Sequence, residues 1–246
     1  MNSKIETEKI ISFLQNILKR TGLKDIVLGW SGGIDSTLCL FLLVRAMPNE
    51  NIHVLHLPYI YSSINELTNS DINGLKVHEI NIKKSVDTLW KTVNPSDSVG
   101  ENGKVRLGNI MARVRMITLF DFAKKVNGLV CGTENKSEHL LGYFTRYGDG
   151  ASDIEPIQHL FKTQVFELAK YLGVPDTIIK KSPSANLWDG QTDEGEFGFT
   201  YEEADEVLSE LREYKGIVKE YKGKVREKIM ERVKKNKFKR EVPYTL

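Results

Sequence analysis

Hydrophobic and polar positions alternate with two different periods along the first half of the chain. Residues 7–20 carry apolar side chains three or four positions apart, which predicts an amphipathic helix. Residues 25–30, DIVLGW, form a short apolar run of the kind found in buried parallel strands. Residues 36–47 are apolar on nearly every face, so we expect a buried helix that ends before Pro48.

The same two patterns recur further along and predict the fold class. We expect strands at 51–58, 76–82 and 128–132, and helices at 109–125 and 164–172. Strands that alternate with helices indicate an α/β protein with an open, mostly parallel sheet and helices on both faces. Residues 1–246 are interpreted as a single domain that ends in a basic helical segment, 201–246. The polar, aperiodic stretch at 185–198 is predicted to be a mobile loop over a site.

Composition and charge exclude some classes of function. The chain has 246 residues, of which 40% are hydrophobic and 28% charged, and its net charge is +2. That balance argues against a dedicated nucleic-acid or membrane binder. Residues 211–246 nevertheless carry 13 basic and 5 acidic groups. They form either a solvated helix face or a set of cations that reaches an anionic ligand.

Two further observations concern the compartment. Cys39 and Cys131 lie in apolar runs and form no CxxC pair, which fits a reducing environment. The first residues lack the apolar core of a signal peptide, and the longest apolar run, 38–44, is too short to cross a membrane. A cytoplasmic protein is therefore expected.

The strongest chemical signal lies between the first strand and the buried helix. The run GWSGGIDS comprises Gly29, Trp30, Ser31, Gly32, Gly33, Ile34, Asp35 and Ser36. Two consecutive glycines let the backbone approach an anion, and the N–H groups of the next helix point toward it. Asp35 is either the N-cap of that helix or a ligand to a divalent cation, most plausibly Mg²⁺, between the carboxylate and phosphate oxygens.

No Walker A or GxGxxG motif occurs, and SGGIDS resembles the pyrophosphate loop of the ATP pyrophosphatases. Further motifs are similar to those of the ammonia-dependent NAD synthetases. They are GNIMARVR (108–115), GTENKSE (132–138), GYFTRYGD (142–149), LFKTQV (160–165) and KSPSANLW (181–188). The resemblance runs in order from about residue 8 to residue 243.

This resemblance implies a reaction and an assembly. Deamido-NAD is activated by ATP to an acyl-adenylate with loss of pyrophosphate, and ammonia then displaces AMP to give NAD. ATP is a co-substrate and Mg²⁺ the cofactor. The length leaves no room for a glutamine amidase domain, which agrees with free ammonia as the nitrogen donor. The resemblance also implies a homodimer that binds deamido-NAD between subunits, with no nucleic-acid or membrane partner. From its pattern alone, the helix at 109–125 is either an interface element or a core helix.

The resemblance further assigns roles to individual residues. Glu138 joins Asp35 as a metal ligand, and Thr133 contacts the nucleotide. Lys162 and Ser184 hold the ATP phosphates, so that Asp35, Lys162 and Ser184 are the expected catalytic residues. The residues that match deamido-NAD-binding positions are Arg113, Arg146, Asp149, Asp153 and Lys239.

Some of these assignments leave alternatives open. Arg113 and Arg115 cannot share a helix face, and Arg113 is preferred on the ligand side. Asp149 either orients the nicotinate end or forms a turn. Phe238 stands where the family usually has His, and the segment 60–71 departs from the family pattern. The five histidines are expected to be structural.

Two other functions remain in consideration. A tRNA-modifying adenylase would use the basic tail for RNA, but it needs a nucleic-acid domain or a catalytic cysteine pair. A nucleotide sensor would need only the loop, and the joint presence of Asp35, Glu138, Lys162 and Ser184 speaks against it.

Overall fold

A computed structural model describes residues 1–60, 74–95, 100–184, 190–211 and 223–245. Within these ranges the chain forms one parallel sheet of four strands in the order β3-β2-β1-β4. The strands are β1 (Asp25–Gly29), β2 (Ile52–His56), β3 (Lys76–Glu79) and β4 (Gly128–Cys131). The predicted parallel α/β class is therefore confirmed.

Ten α-helices surround or extend this sheet in the described ranges. They are α1 (Ser3–Thr21), α2 (Ile34–Ala46), α3 (Lys83–Val93), α4 (Glu101–Val126), α5 (Lys136–Leu141), α6 (Lys162–Leu172), α7 (Asp176–Ile179), α8 (Asp193–Phe197), α9 (Tyr201–Glu210) and α10 (Lys224–Asn236). Among the residues with described positions, no helix is long and apolar enough to span a bilayer.

Strand β1 separates two hydrophobic cores because its side chains alternate between faces. Ile26 and Leu28 join the core that α1, α2 and α6 cover, whereas Val27 joins the core beneath α3 and α4. Helix α2 is buried on nearly every side, as its sequence predicts. Helices thus pack on both faces of the sheet.

Several predicted boundaries require correction. Strand β3 ends at Glu79, and α4 begins at Glu101 rather than near 109. Part of the loop predicted at 185–198 is the short helix α8, which the Thr192 hydroxyl caps by accepting the Gly195 N–H. Residues 185–189 and most of the divergent segment 60–71 lie outside the described ranges. The helices α3, α5 and α7 were not predicted.

The sheet brings two loops together at its carboxyl edge. Strand β4 pairs with β1 in parallel register, so the segments that follow both strands emerge side by side. One leads through the SGG run into α2, and the other leads through Gly132 into α5. Ligands of open α/β sheets bind at this edge, beyond the carboxyl ends of the strands.

Candidate active site

The loop before α2 is folded by its own serine hydroxyls. The Ser31 N–H donates to Ser36 Oγ at 3.2 Å, and Ser36 Oγ in turn donates to the Gly33 carbonyl at 3.1 Å. Gly32 has a φ of 74°, a left-handed conformation that favours glycine. Gly33 is the N-cap of α2, and within the described residues no side chain caps this helix start. Its first amides therefore face the cleft.

Two carboxylates converge on one buried ammonium group beside this loop. Lys162 Nζ donates to Asp35 Oδ2 at 2.5 Å and to Glu138 Oε1 at 3.0 Å. The Lys162 side chain is 2% exposed, whereas each carboxylate is 17% exposed. The lysine therefore lies beneath the carboxylates, which retain a route to the cleft.

Asn135 fixes the relative position of these carboxylates. Its Oδ1 accepts the Glu138 N–H at 3.0 Å and starts helix α5, and its Nδ2 donates to Asp35 Oδ1 at 2.9 Å. Asn135 is fully buried. One side chain thus caps the helix that carries Glu138 and orients Asp35 on α2.

The start of α6 is held by residues from two other helices. The Lys162 N–H donates to Ser137 Oγ at 2.9 Å, and the Thr163 N–H donates to Asp205 Oδ2 at 2.8 Å. Ser137 Oγ also donates to Asp205. Asp205 therefore determines, through Ser137, where the backbone of Lys162 lies.

A cleft opens above these groups, with an empty volume of about 750 Å³ including its mouth. Five segments form it: the SGG loop with the start of α2, residues 133–149 after β4, the start of α6, the segment 181–184, and the start of α8. Its lining residues are Ser31, Gly33, Ile34, Asp35, Ser36, Thr133, Glu138, Tyr143, Asp149, Lys162, Lys181, Ser182, Pro183, Ser184 and Asp193. Serine hydroxyls, helix amides, two lysines and several carboxylates suit a phosphate ligand accompanied by a cation.

Burial and neighbouring charges shift the pKa values of Lys162 and Glu138 in opposite directions. Burial alone would lower the pKa of Lys162, but Asp35 and Glu138 outweigh it and raise that pKa, so the ammonium stays charged. Burial raises the pKa of Glu138 to about 8, although Lys162 opposes the shift. The carboxylates therefore gain from any cation that approaches them.

Comparison with known proteins identifies the family. The family model for NAD synthase matches residues 6–243. The chain belongs to the NAD synthase family. It is 41% identical to the NH(3)-dependent NAD(+) synthetase of Thermoplasma volcanium, over 98% of this chain and 96% of that protein. This membership does not favour the tRNA-modifying alternative.

Solved structures of the NAD synthase family agree with the fold. The NMN synthetase of Francisella tularensis is 33% identical with a TM-score of 0.82, covering 100% of this chain and 99% of that chain. The NH3-dependent NAD synthetase of Campylobacter jejuni, in complex with the nitrate ion, is 34% identical with a TM-score of 0.81, at the same coverage.

Most of the residues predicted to bind ATP or the metal lie in the cleft. Its lining includes nine of them: Ser31, Gly33, Ile34, Asp35, Ser36, Thr133, Glu138, Lys162 and Ser184. Gly29, Trp30 and Gly32 do not line it, because they lie in the strand end and the turn beneath it. The Trp30 ring is buried, and its Nε1 donates to Thr37 Oγ1 at 3.0 Å.

The predicted dinucleotide residues lie mostly outside this cleft. Arg113 is exposed and its Nε donates to the Arg146 carbonyl, while the Arg146 guanidinium stacks over Phe238. Asp153 Oδ2 accepts the Val130 N–H at 2.8 Å beside β4. Lys239 Nζ donates to two carbonyls of the 142–144 segment, at 2.7 and 2.9 Å. Their predicted role in deamido-NAD binding stays a prediction.

The contacts of Asp149 fit both roles considered for it, a turn and an orienting group for the nicotinate end. Its Oδ1 accepts the Thr145 N–H at 3.0 Å, which closes a turn, and its side chain also lines the cleft. Arg115 has a different partner from Arg113 and donates to the Leu57 carbonyl at 3.1 Å, and the preference for Arg113 on the ligand side stays a prediction.

None of the five histidines lines the cleft among the described residues, and their structural role stays a prediction. The sequence interpretation missed Tyr143, Asn135, Asp193 and Asp205. Asn135 had an available signal, since Asn followed three residues later by Glu is a capping pattern. Asp193 and Asp205 had none, because their partners are distant side chains in other elements.

Proposed function

We propose that this protein amidates deamido-NAD with ammonia and ATP, through an acyl-adenylate, and releases NAD, AMP and pyrophosphate. The observation that carries the proposal is the convergence of Asp35, Glu138 and Lys162 at the uncapped start of α2, in a chain of the NAD synthase family. A carboxylate accepts an amine poorly, and adenylation gives it a good leaving group.

In this proposal the start of α2 binds the triphosphate. The amides of the first turn and the hydroxyls of Ser31, Ser36 and Ser184 surround the cleft, and Thr133 lines it from the β4 side. Donors fixed before the reaction stabilise charge that develops on the phosphates as the substrate carboxylate attacks the α-phosphate. The α2 dipole acts in the same direction.

The residues present also fit a magnesium ion. Mg²⁺ prefers carboxylate oxygens and usually takes one or two from the protein, with phosphates and water completing its shell. Asp35 and Glu138 would hold it, since their oxygens already converge on one cation, Lys162 Nζ. When bound, Mg²⁺ supplies charge neutralisation on the triphosphate. Lys162 would then be released to a phosphate oxygen.

The dinucleotide is proposed to bind across a homodimer interface. Arg113, Arg146 and Lys239 lie outside the cleft, as expected if the second substrate extends beyond the ATP site. Helix α4 packs on the sheet through Met111 and leaves Ile117 60% exposed. An exposed apolar residue on this helix is what a two-fold contact would bury.

The interface is tested by Ile117→Asp, measured by sedimentation and by activity. We expect a monomer with strongly reduced activity, whereas Tyr171→Asp, an equally charged change at a 52% exposed position on α6, should leave both unchanged. A fully active monomer of 28.0 kDa would contradict the proposed interface.

The reaction is tested by incubating the protein with ATP, Mg²⁺, deamido-NAD and ammonium. The expected products are NAD, AMP and pyrophosphate, and chelation of the metal should abolish all three. Formation of ADP would contradict attack at the α-phosphate. The two cysteines are buried free thiols, which fits the reducing cytoplasm where we place this reaction.

The Francisella relative raises a second candidate product, because it is named an NMN synthetase. The same amidation applied to a mononucleotide would start from nicotinic acid mononucleotide. Parallel assays with the mononucleotide and the dinucleotide, compared by kcat/KM, separate the two. We expect the dinucleotide to be preferred, because the relative that is 41% identical to this chain is named an NAD(+) synthetase, whereas the one named an NMN synthetase is 33% identical.

A further inference from the structure

The carboxylate of Asp193 lies in the cleft with one oxygen unsatisfied. Asp193 is the first residue of α8 and is 3% exposed. Its Oδ2 accepts the Tyr201 hydroxyl at 2.9 Å. Its Oδ1 is buried and has no hydrogen-bond partner in the part of the chain that the structure describes. A buried carboxylate oxygen without a donor is costly, so a ligand that supplies one is favoured.

Two protein donors lie near this oxygen. The Tyr143 hydroxyl is within reach of both Asp193 and Glu196, and it donates to Glu196 Oε1 at 3.2 Å. Lys162 Nζ uses two of its three protons on Asp35 and Glu138. Neither group donates to Asp193 Oδ1 in the part of the chain that the structure describes, so this oxygen can accept from a donor outside the chain.

The surroundings of Asp193 favour a positively charged donor. Its carboxylate shares the cleft with Asp35 and Glu138. Two fixed cations also lie nearby, with Lys162 Nζ 5.1 Å from the Tyr201 centroid and Arg232 Cζ 5.5 Å from that of Tyr143. The three carboxylates, rather than the ring faces, are therefore what attracts a further cation.

A divalent metal fits this position less well than a small monovalent cation. In the described ranges, no three His, Cys, Asp or Glu residues gather as metal ligands, so Asp193 does not complete a set with Asp35 and Glu138. A buried carboxylate oxygen that lacks a donor suits an ion that donates hydrogen bonds. Ammonium has that chemistry, and like a lysine side chain it is charged at neutral pH.

We propose that Asp193 Oδ1 binds the ammonium ion that supplies the amide nitrogen, with Tyr143 and Tyr201 beside it. The bound ion loses one proton to water, and the resulting ammonia attacks the acyl carbon. The bond from that carbon to the AMP oxygen then breaks, and the phosphate of the departing AMP takes the second proton. The proposal rests on the proposed function and assigns its third substrate a site. The Asp193 N–H donates to the Pro183 carbonyl at 3.0 Å, so the ammonium site is joined to the segment that carries Ser184. The ammonium nitrogen is thereby held next to the bound ATP, which activates the nicotinate carboxylate of deamido-NAD.

The test separates the two half-reactions in Asp193→Asn, which keeps an acceptor for Tyr201 and removes the charge. Exchange of labelled pyrophosphate into ATP, dependent on deamido-NAD and without ammonium, reports adenylation. We expect that exchange to stay near the wild-type rate. The KM for ammonium in NAD formation should rise about 10- to 100-fold, the range for a lost charged hydrogen bond. Glu202→Gln, an exposed charge loss on α9, is the matched control and should change neither.

A second variant keeps the test informative if Asp193→Asn unfolds. Tyr201→Phe removes the hydroxyl that orients Asp193 but keeps the charge and the ring, so we expect a smaller rise in the KM for ammonium and unchanged exchange. An unchanged ammonium KM in a folded Asp193→Asn protein would overturn the ammonium site. So would a rise confined to the KM for deamido-NAD or to the Mg²⁺ requirement. Absence of exchange in the wild type would instead refute the proposed function.

Discussion

Helices α2 and α6 both begin at the cleft, but their first amides are satisfied in opposite ways. At α6, the Lys162 and Thr163 N–H groups donate to Ser137 and Asp205. At α2, the N-cap is Gly33, and among the described residues no side chain caps the first turn. Side chains thus accept two of the first amides of α6, whereas the described residues provide no side-chain cap for α2.

The difference separates positioning from binding. The capped helix presents the side chain of Lys162 and holds it 2% exposed between two carboxylates. The open helix presents backbone amides, which an anion can satisfy. The same kind of helix start therefore either positions a side chain or offers amides to an anion, depending on whether neighbouring side chains accept its first N–H groups.

The largest expected effect is at the open helix. Asp35→Asn should lower kcat by about 10²- to 10³-fold, the usual cost of removing one electrostatic stabiliser. Steady-state kinetics measures the loss, and circular dichroism with thermal unfolding shows that the fold is kept. Near-normal turnover at ordinary Mg²⁺ would mean that the carboxylate is not needed as a metal ligand and only bonds to Asn135 and Lys162.

An intermediate effect is expected at the capped helix. Asp205→Ala leaves the Ser137 hydroxyl and the Thr163 N–H without their buried acceptor, so the free energy of unfolding should fall by about 1–3 kcal/mol. Urea denaturation measures it. Glu202→Ala, an exposed position of the same helix, should change stability by less than about 0.5 kcal/mol. Equal stabilities of the two variants would show that the α6 cap is dispensable.

The smallest effect comes from capping the open helix. Gly33→Ser places a hydroxyl acceptor at the N-cap, so the free energy of unfolding should rise by a few tenths of a kcal/mol, about the Gly-to-Ser difference. ATP binding should weaken, because the new side chain takes an amide that the phosphates would use. The new Cβ would lie 3.2 Å from Ser31 Oγ, which must shift slightly.

The matched control for this variant is Gly223→Ser. Gly223 is the N-cap of α10, and among the described residues it too has no side-chain cap and an added Cβ would meet nothing within 4 Å. Calorimetric titration with ATP and urea denaturation are applied to both variants. Tighter ATP binding by Gly33→Ser would contradict the role given to the open helix.

Much of the fold could be predicted where periodicity is long or hydrophobicity continuous. Helices α1 and α2 and strands β1 and β2 fall close to their predicted positions because their apolar patterns reflect burial in the two cores beside the sheet. The short helices α5, α7 and α8 have four to six residues, fewer than two turns, so no period can be measured.

The residues of the site also differ in whether the sequence could predict them. Asp35, Glu138, Lys162 and Ser184 were predicted because they belong to contiguous motifs. Asp205 was not, because its function lies in bonds to Ser137 and Thr163, 68 and 42 positions away in sequence. Such pairings depend on the packing of α9 against α5 and α6, which local pattern does not encode.

The strand order also determines when the site can exist during folding. Pairing of β1 with β2 joins Ile26 to Ile52, whereas pairing of β1 with β4 joins Asp25 to Gly128 and closes a loop about four times as long. That longer closure costs about 1.2 kcal/mol more in chain entropy, two doublings at about 0.6 each. Asp35 follows β1 and Glu138 follows β4, so the carboxylate pair forms only after this distant strand has docked. A chain emerging from synthesis therefore acquires half of its sheet well before it acquires any catalytic competence.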